Sequence, residues 1–186
     1  ILEEVGQGGM ATVYRAHQIS MDRDVALKLL PTRLLNESVS LDRFRQEASI
    51  VARLEHPHIV PLYDYWRDPT GAFLVMRYLR GGSLRDSLDE TGAWDILAVT
   101  QMVAQISAAL TLAHNNGVIH RDLKTDNIML DETGNTYLSD FGIAKELSSE
   151  ANLTQDNILG TPAYLAPEQI RGQGPSPQSD IYALGI

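Results

Sequence analysis

The chain has 186 residues, of which 44% are hydrophobic and 21% charged, and its formal net charge is −9. These values are typical of one globular domain, and an acidic chain without Lys/Arg clusters argues against nucleic acid as the main partner. The sequence contains no cysteine, which excludes disulfides and thiolate metal sites. Neither a membrane span nor a signal peptide is predicted.

The first 80 residues read mostly as strands. A helix over roughly 40–54 interrupts them, because Phe44, Ala48 and Val51 recur at helical spacing. A turn at 68–71 joins the last two strands. Runs of strand-forming residues place the strands at 12–16, 25–30, 59–66 and 73–78.

After Gly81 and Gly82 the pattern becomes helical. A long helix is predicted at roughly 94–116, where one face carries Val99, Val103, Ile106, Leu110 and Ala113. A second helical region lies near residue 177. The order predicts an α+β protein with a strand-rich part at 1–80 and a helix-rich part at 81–186, and a cleft between two such parts suits a ligand.

Residues 6–13, GQGGMATV, form a glycine-rich loop before a predicted strand. Glycines let the backbone come close to a ligand, and the loop amides can cradle phosphates. A hairpin turn explains these residues equally well. Because a strand follows the glycines, a dinucleotide-binding fold or a Walker loop is disfavoured.

Two charged residues stand beside apolar ones in the strand-rich part. Lys28 ends the apolar strand of residues 25–28, VALK, and Glu47 lies on the predicted helix beside its apolar residues. An exposed lysine and a half-exposed glutamate are the ordinary interpretation. The alternative is a lysine that binds phosphates and is fixed by the carboxylate.

A polar segment, HRDLKTDN at residues 120–127, follows the long helix and precedes the apolar strand 128–130. Its aspartate can accept a hydroxyl proton, its lysine can neutralise phosphoryl charge, and its asparagine can ligate Mg²⁺. A solvated loop would not need so many chemical groups together. Asp140, in DFG at 140–142, is a candidate second Mg²⁺ ligand, and the segment 160–168, GTPAYLAPE, runs into a helix.

Taken in order, these five motifs resemble the protein kinase superfamily, over essentially the whole chain. The resemblance implies a bilobal fold, with an antiparallel N-lobe sheet carrying one helix and a mainly helical C-lobe. Residues 1–80 would form the N-lobe and hinge, and 81–186 the C-lobe. Both ends of the sequence read as cut, so we expect a fragment with a truncated C-lobe that is poorly stable or inactive alone.

The resemblance assigns catalytic roles to matching residues. Asp122 would be the catalytic base, and Lys124 would stabilise the transferred phosphoryl group. Lys28 would hold the α- and β-phosphates of ATP and pair with Glu47. The expected Mg²⁺ ligands are Asn127 and Asp140.

The same resemblance implies a nucleotide site. Its loop would be formed by Gly6, Gly8 and Gly9. Val13 and Ala26 would cover the adenine from above and Met129 from below, with Met76 as gatekeeper. The hinge would run from Arg77 to Leu79, and the full set is Gly6, Gly8, Gly9, Val13, Ala26, Lys28, Met76, Arg77, Leu79 and Met129.

Serine/threonine specificity is expected for two reasons. Lys124 stands two residues after the catalytic aspartate, where tyrosine kinases usually carry another residue, and 160–162 resembles the Ser/Thr-type segment. The sequence around residues 9–10 and 56–60 resembles that of bacterial members of the superfamily. Two departures are Ala11, where a third loop glycine is usual, and Thr125, where proline is common.

The resemblance also implies regulation. Arg121 would receive a phosphorylated residue, since phosphate pairs strongly with guanidinium. Thr154 is the expected activating site, phosphorylated in trans by a second copy, and Thr161 is expected to position the substrate. We expect protein substrates bearing Ser or Thr, no nucleic acid partner, and a cytoplasmic location. The alternatives are a pseudokinase scaffold and a small-molecule phosphotransferase, which usually lacks the 160–168 segment.

Overall fold

The computed structural model describes residues 1–8, 11–32, 41–142 and 162–186, with the backbone alone at 41–44 and 162. These residues fall into two compact units. The first unit consists of the described residues of 1–53 and 60–78. The second consists of 54–59, 79–142 and the described residues of 155–186.

The first unit is built on an antiparallel sheet. Its five strands are β1 (Glu3–Gln7), β2 (Thr12–Gln18), β3 (Arg23–Pro31), β4 (Leu62–Asp68) and β5 (Gly71–Arg77), arranged in the order β1-β2-β3-β5-β4. Gly71 opens β5 against β3, where a Cβ would lie 2.5 Å from the Leu30 carbonyl oxygen. A glycine is therefore required at the start of this strand pair.

One predicted strand begins too early. The run 59–66 was expected to be continuous, but β4 starts at Leu62. Pro61 has no N–H to donate to a strand partner, and Ile59 instead forms a single bridge with Leu138 in the second unit. Residues 59–61 thus have two partners: Ile59 pairs with Leu138, and the Pro61 carbonyl accepts a bond from the Arg77 amide.

Helix α1 (Leu41–Ala52) covers one face of the sheet. Alternate residues of a strand point to the same face, and Leu30, Ala72 and Leu74 on that face form a buried cluster with Ala48 of the helix. Val51 packs against the same cluster. The helical spacing of Ala48 and Val51 therefore identified the packed face of α1.

The second unit is mainly helical. Its described elements include a short antiparallel pair, β6 (Ile128–Leu130) and β7 (Thr136–Leu138), and 3₁₀ turns at Thr125–Asn127 and Pro162–Tyr164. Its helices are α2 (Leu84–Thr91), α3 (Ile96–Asn115), α4 (Pro167–Ile170) and α5 (Pro177–Leu184).

Helix α2 was not predicted from the sequence. A reciprocal capping box starts it: the Asp86 amide donates to Ser83 Oγ at 3.1 Å, and the Ser83 amide donates to Asp86 Oδ2 at 2.8 Å. The pattern of a serine followed three residues later by an acid is a sequence signal for a helix start. In this chain the signal directly follows Gly81 and Gly82, which are typical of a turn.

Helix α3 is long and apolar enough, by length and composition alone, to cross a membrane. The expectation that the sequence holds no membrane span stays a prediction. The helix packs against β7 and α5, and Ile106, Ala109, Leu110 and Ala113 are buried. Core helices can pass the same test, so it is weak evidence for a span.

Candidate active site

The strand register places four of the predicted nucleotide residues on one face of the first unit's sheet. Lys28 lies opposite Val13 on β2, and Ala26 lies opposite Met76 on β5. Directly opposed residues share a face, and Ala26 and Lys28 are two positions apart on β3. Val13, Ala26, Lys28 and Met76 therefore line the face that also packs α1.

Glu47 approaches this face from the helix. It precedes Ala48, which is fully buried in the cluster with Leu30, two residues beyond Lys28. Both Lys28 and Glu47 are half-buried. The fold thus puts the lysine and the carboxylate on the same side of the sheet, whereas Arg77 follows Met76 and belongs to the opposite face.

Gly6 lies near the end of β1, and Gly8 directly follows that strand, at the start of the loop to β2. A Cβ on Gly6 would come no closer than 3.9 Å to Val13, and a Cβ on Gly8 no closer than 3.8 Å to Ala11. Among the described residues there is therefore room for side chains at both positions, and both residues are exposed.

The segment 120–127 brings three predicted catalytic residues together in the second unit. Lys124 Nζ lies 4.0 Å from Asp122 Oδ2. Asn127 Nδ2 donates to the Asp122 carbonyl at 2.7 Å and reaches Asp122 Oδ2 at 3.3 Å. These contacts fix the aspartate carboxylate beside a cation and hold the loop closed around it.

Asn127 is also tied to the segment that carries Asp140. Its carbonyl accepts bonds from the amide and hydroxyl of Ser139, at 2.9 and 3.0 Å, and Asp140 is the next residue. Because Asn127 Nδ2 is engaged with Asp122, its Oδ1 is the atom suited to ligate a metal. An amide oxygen and a carboxylate are ligands that Mg²⁺ accepts, so the donor set fits that ion.

A buried carboxylate from α5 anchors this loop. Asp180 is 2% exposed, and its Oδ2 accepts a bond from the His120 amide at 2.8 Å while Oδ1 accepts one from the Arg121 amide at 3.0 Å. Its Oδ2 also lies 2.8 Å from His114 Nε2. The sequence analysis gave Asp180 no role, although it is the group that holds the loop backbone in place.

Two residues at the site have unusual backbone conformations. Arg121 has φ 68° and Asp140 has φ 59°, in the left-handed region that disfavours residues other than glycine and asparagine-like ones. Such conformations persist only where surrounding contacts hold them. The bond from the Arg121 amide to Asp180 is one such contact.

His120 is fully buried and its hydrogen bonds define its tautomer. Its Nε2 donates to the Ser139 carbonyl at 2.7 Å, and its Nδ1 accepts from the Asp122 amide at 3.3 Å. A second proton, on Nδ1, would face the Asp122 N–H. Burial lowers the pKa of His120 despite the nearby Asp180, so the folded protein holds this histidine neutral.

Stability is therefore expected to fall as the pH drops below about 6.5, the ordinary histidine value. Below that pH the unfolded chain binds a proton that buried His120 refuses, which favours unfolding with a slope of up to about 1.4 kcal/mol per pH unit. Urea unfolding measured between pH 7.5 and 5.5 tests this. His120→Gln should reduce the slope, and an unchanged slope would assign the effect to another group such as His56, whose pKa burial also lowers.

Thr125, which replaces the usual proline, has a structural consequence that the sequence analysis did not give it. It begins a 3₁₀ turn, where proline would also fit. Its Oγ1 lies 3.3 Å from the hydroxyl of Tyr164. The substitution therefore links the loop of Asp122 to the segment around 162–164.

The second unit also contains the predicted site residues Leu79 and Met129. Leu79 is buried, and half-buried Met129 forms a bridge with Ser83. A Cβ on Gly81 would lie 2.7 Å from the carbonyl oxygens of Leu130 and Asp131. Close packing against β6 therefore explains Gly81. Three predicted site residues, Gly9, Thr154 and Thr161, lie outside the described residues.

A cavity of about 540 Å³ lies within the second unit. It is bounded mainly by hydrocarbon and offers Lys124 as its single cation among the lining residues. Phosphates need several donors, so this cavity does not suit a nucleotide. The lining includes Leu84, Leu88, Trp94, Val103, Tyr164 and Leu184.

Comparison with known proteins identifies the same family throughout the chain. The protein kinase domain family matches residues 1–186. Serine/threonine-protein kinase PrkC of Bacillus subtilis is 41% identical over the whole chain, which spans 29% of that relative. Serine/threonine-protein kinase PknL of Mycobacterium tuberculosis is 39% identical over 98% of the chain, which spans 46% of it.

A solved structure gives the same result for the fold. The crystal structure of Rad53 1-466 in complex with AMP-PNP matches all of this chain and 45% of that one, with a TM-score of 0.82 and 32% identity. The predicted α+β fold and the resemblance to bacterial Ser/Thr kinases are thereby confirmed. The chain spans less than half the length of each of these relatives.

Proposed function

Because this chain belongs to the protein kinase domain family, we propose that it forms the catalytic domain of an ATP-dependent serine/threonine protein kinase. It transfers the γ-phosphoryl group of ATP to Ser or Thr hydroxyls of proteins. The observation that carries this proposal is the arrangement of Asp122, Lys124 and Asn127, with a carboxylate, a cation and an amide held in one loop.

In this proposal Asp122 orients the acceptor hydroxyl and takes its proton as the oxygen attacks the γ-phosphorus. The bond to the β–γ bridging oxygen breaks, and ADP leaves. Lys124, 4.0 Å from Asp122, balances the charge that develops on the transferred group.

Mg²⁺, when bound, would neutralise phosphate charge and orient the phosphates. Asn127 would offer its Oδ1 and Asp140 its carboxylate. The bonds from Ser139 to the Asn127 carbonyl keep Asn127 close to the segment that carries Asp140.

The nucleotide would be bound by the remaining residues. Lys28, on the same sheet face as Val13, Ala26 and Met76, would hold the phosphates while those neighbours cover the adenine. Glu47 would fix the lysine. The room at Gly6 and Gly8 would let their backbone come close to the phosphates.

The proposed activity is tested by incubating the full-length protein with ATP, Mg²⁺ and casein, then locating phosphate by mass spectrometry. Phosphoserine or phosphothreonine on casein or on the protein itself is the expected result. Phosphate on a sugar or aminoglycoside instead would favour the small-molecule alternative. ATP binding without transfer to any acceptor would favour a pseudokinase.

We further propose activation by phosphorylation of Thr154 in trans, with Arg121 as the receiving cation and Thr161 as a substrate-positioning residue. Thr154→Ala should abolish the corresponding phosphopeptide and lower kcat on casein by about tenfold or more, because the phosphate no longer pairs with guanidinium. Mixing this variant with catalytically inactive protein, which retains Thr154, tests whether one copy phosphorylates Thr154 of another. Unchanged activity and phosphate content would contradict the proposal.

The proposal includes the lobe boundaries, with residues 1–80 as N-lobe and hinge and 81–186 as C-lobe. It also includes a cytoplasmic location for the domain and self-association during autophosphorylation. The net charge of −9 supports a protein partner over nucleic acid.

A further inference from the structure

Arg15, at the centre of β2, is held by carboxylates from both neighbouring strands. Its Nε and Nη2 donate to Asp24 Oδ2, at 3.0 and 2.7 Å, and its Nη1 donates to Glu3 Oε1 at 3.0 Å. Three of its nitrogen atoms are therefore committed, which fixes the plane of the guanidinium. Asp24 lies on β3 and Glu3 on β1.

The fixed guanidinium lies over an aromatic ring. Its central carbon is 5.3 Å from the ring centroid of Tyr78, within the range of a cation–π contact. Tyr78 directly follows the last residue of β5, Arg77. The arginine therefore links three strands to the point where the chain leaves the sheet.

The position of Arg15 relates this link to the nucleotide residues. Arg15 lies directly opposite Ala26, and Ala26 lies opposite Met76. It therefore shares the sheet face of Val13, Ala26 and Lys28. The contact between Arg15 and Tyr78 lies at the end of the row of residues that would cover the adenine.

We propose that Arg15 is a positioning residue for ATP, which holds Tyr78 and thereby the hinge backbone in the conformation that binds the adenine edge. The inference rests on the proposed kinase function. The ion pair with Glu3 is a poor reason for the arrangement, because Arg15 and Glu3 are 32% and 53% exposed and exposed pairs add little stability.

Arg15→Lys is the sharpest test, because lysine keeps the charge but loses the planar fork that binds two carboxylates and stacks on a ring. With the full-length protein, KM for ATP and Kd for AMP-PNP should rise about three- to tenfold. The KM for a peptide substrate and kcat should stay within about twofold. Tyr78→Leu, which removes the ring, should resemble Arg15→Lys.

A second arginine in the same sheet provides a matched control. Arg23 lies over Tyr63 with its central carbon 3.6 Å from the ring centroid and donates to Gln18. Arg23→Lys loses the same kind of contact at a different place and should leave KM for ATP unchanged.

The outcomes separate this inference from the proposed function. An active wild type whose Arg15→Lys variant binds ATP normally overturns the inference alone. An equal rise in KM in Arg15→Lys and Arg23→Lys also overturns it, since a general weakening of the sheet would explain both. A wild type that neither binds ATP nor transfers phosphate overturns both.

Discussion

Asp122→Asn is expected to lower kcat by roughly 10²- to 10⁴-fold, the usual effect of removing a positioned general base. Asparagine has the same shape, so the Asp122 carbonyl can still accept the 2.7 Å bond from Asn127. The loop should therefore remain folded, and KM for ATP should change little. The measurement is steady-state phosphorylation of casein by the full-length protein, with phosphopeptides identified by mass spectrometry.

Asp126 supplies a matched control in the same loop. It is exposed and lies in the 3₁₀ turn between Lys124 and Asn127, so Asp126→Asn removes the same charge without removing the proposed base. Its kcat should stay within about twofold of wild type. Equal kcat values for the two variants would exclude Asp122 as the base.

The predicted site residues of the loop 120–127 lie together in the structure because they are close together in the chain. Asp122, Lys124 and Asn127 lie within six residues, and a segment that must hold these groups cannot rearrange them much. The same argument applies to the strand of Lys28, where strict alternation decides which face each residue joins. Local pattern therefore explains why these predicted residues lie near one another.

The supports of the site could not be predicted in the same way. Asp180 lies 58 residues after Asp122 in the chain, and its bonds are to backbone amides, which leave no trace in residue type. The stack of Arg15 on Tyr78 likewise depends on strand order β2-β3-β5, which brings together residues 63 positions apart.

Asp180→Ala is expected to destabilise the protein by about 3–5 kcal/mol, the cost of removing one partner from a buried charged arrangement. The substitution leaves the amides of His120 and Arg121 without their acceptor, and His114 loses its 2.8 Å contact. It also releases Arg121, whose φ of 68° needs external support. Urea unfolding at pH 7.5 measures the change.

Graded variants show whether the carboxylate acts through these bonds. Asp180→Asn retains an acceptor oxygen and should cost less than Asp180→Ala, while His114→Gln removes only one partner and should cost about 1 kcal/mol. Because the carboxylate positions the backbone on which Asp122 stands, Asp180→Asn should lower kcat more than it raises KM for ATP. A loss below about 1 kcal/mol in Asp180→Ala with normal kcat would show that the loop is held by other contacts.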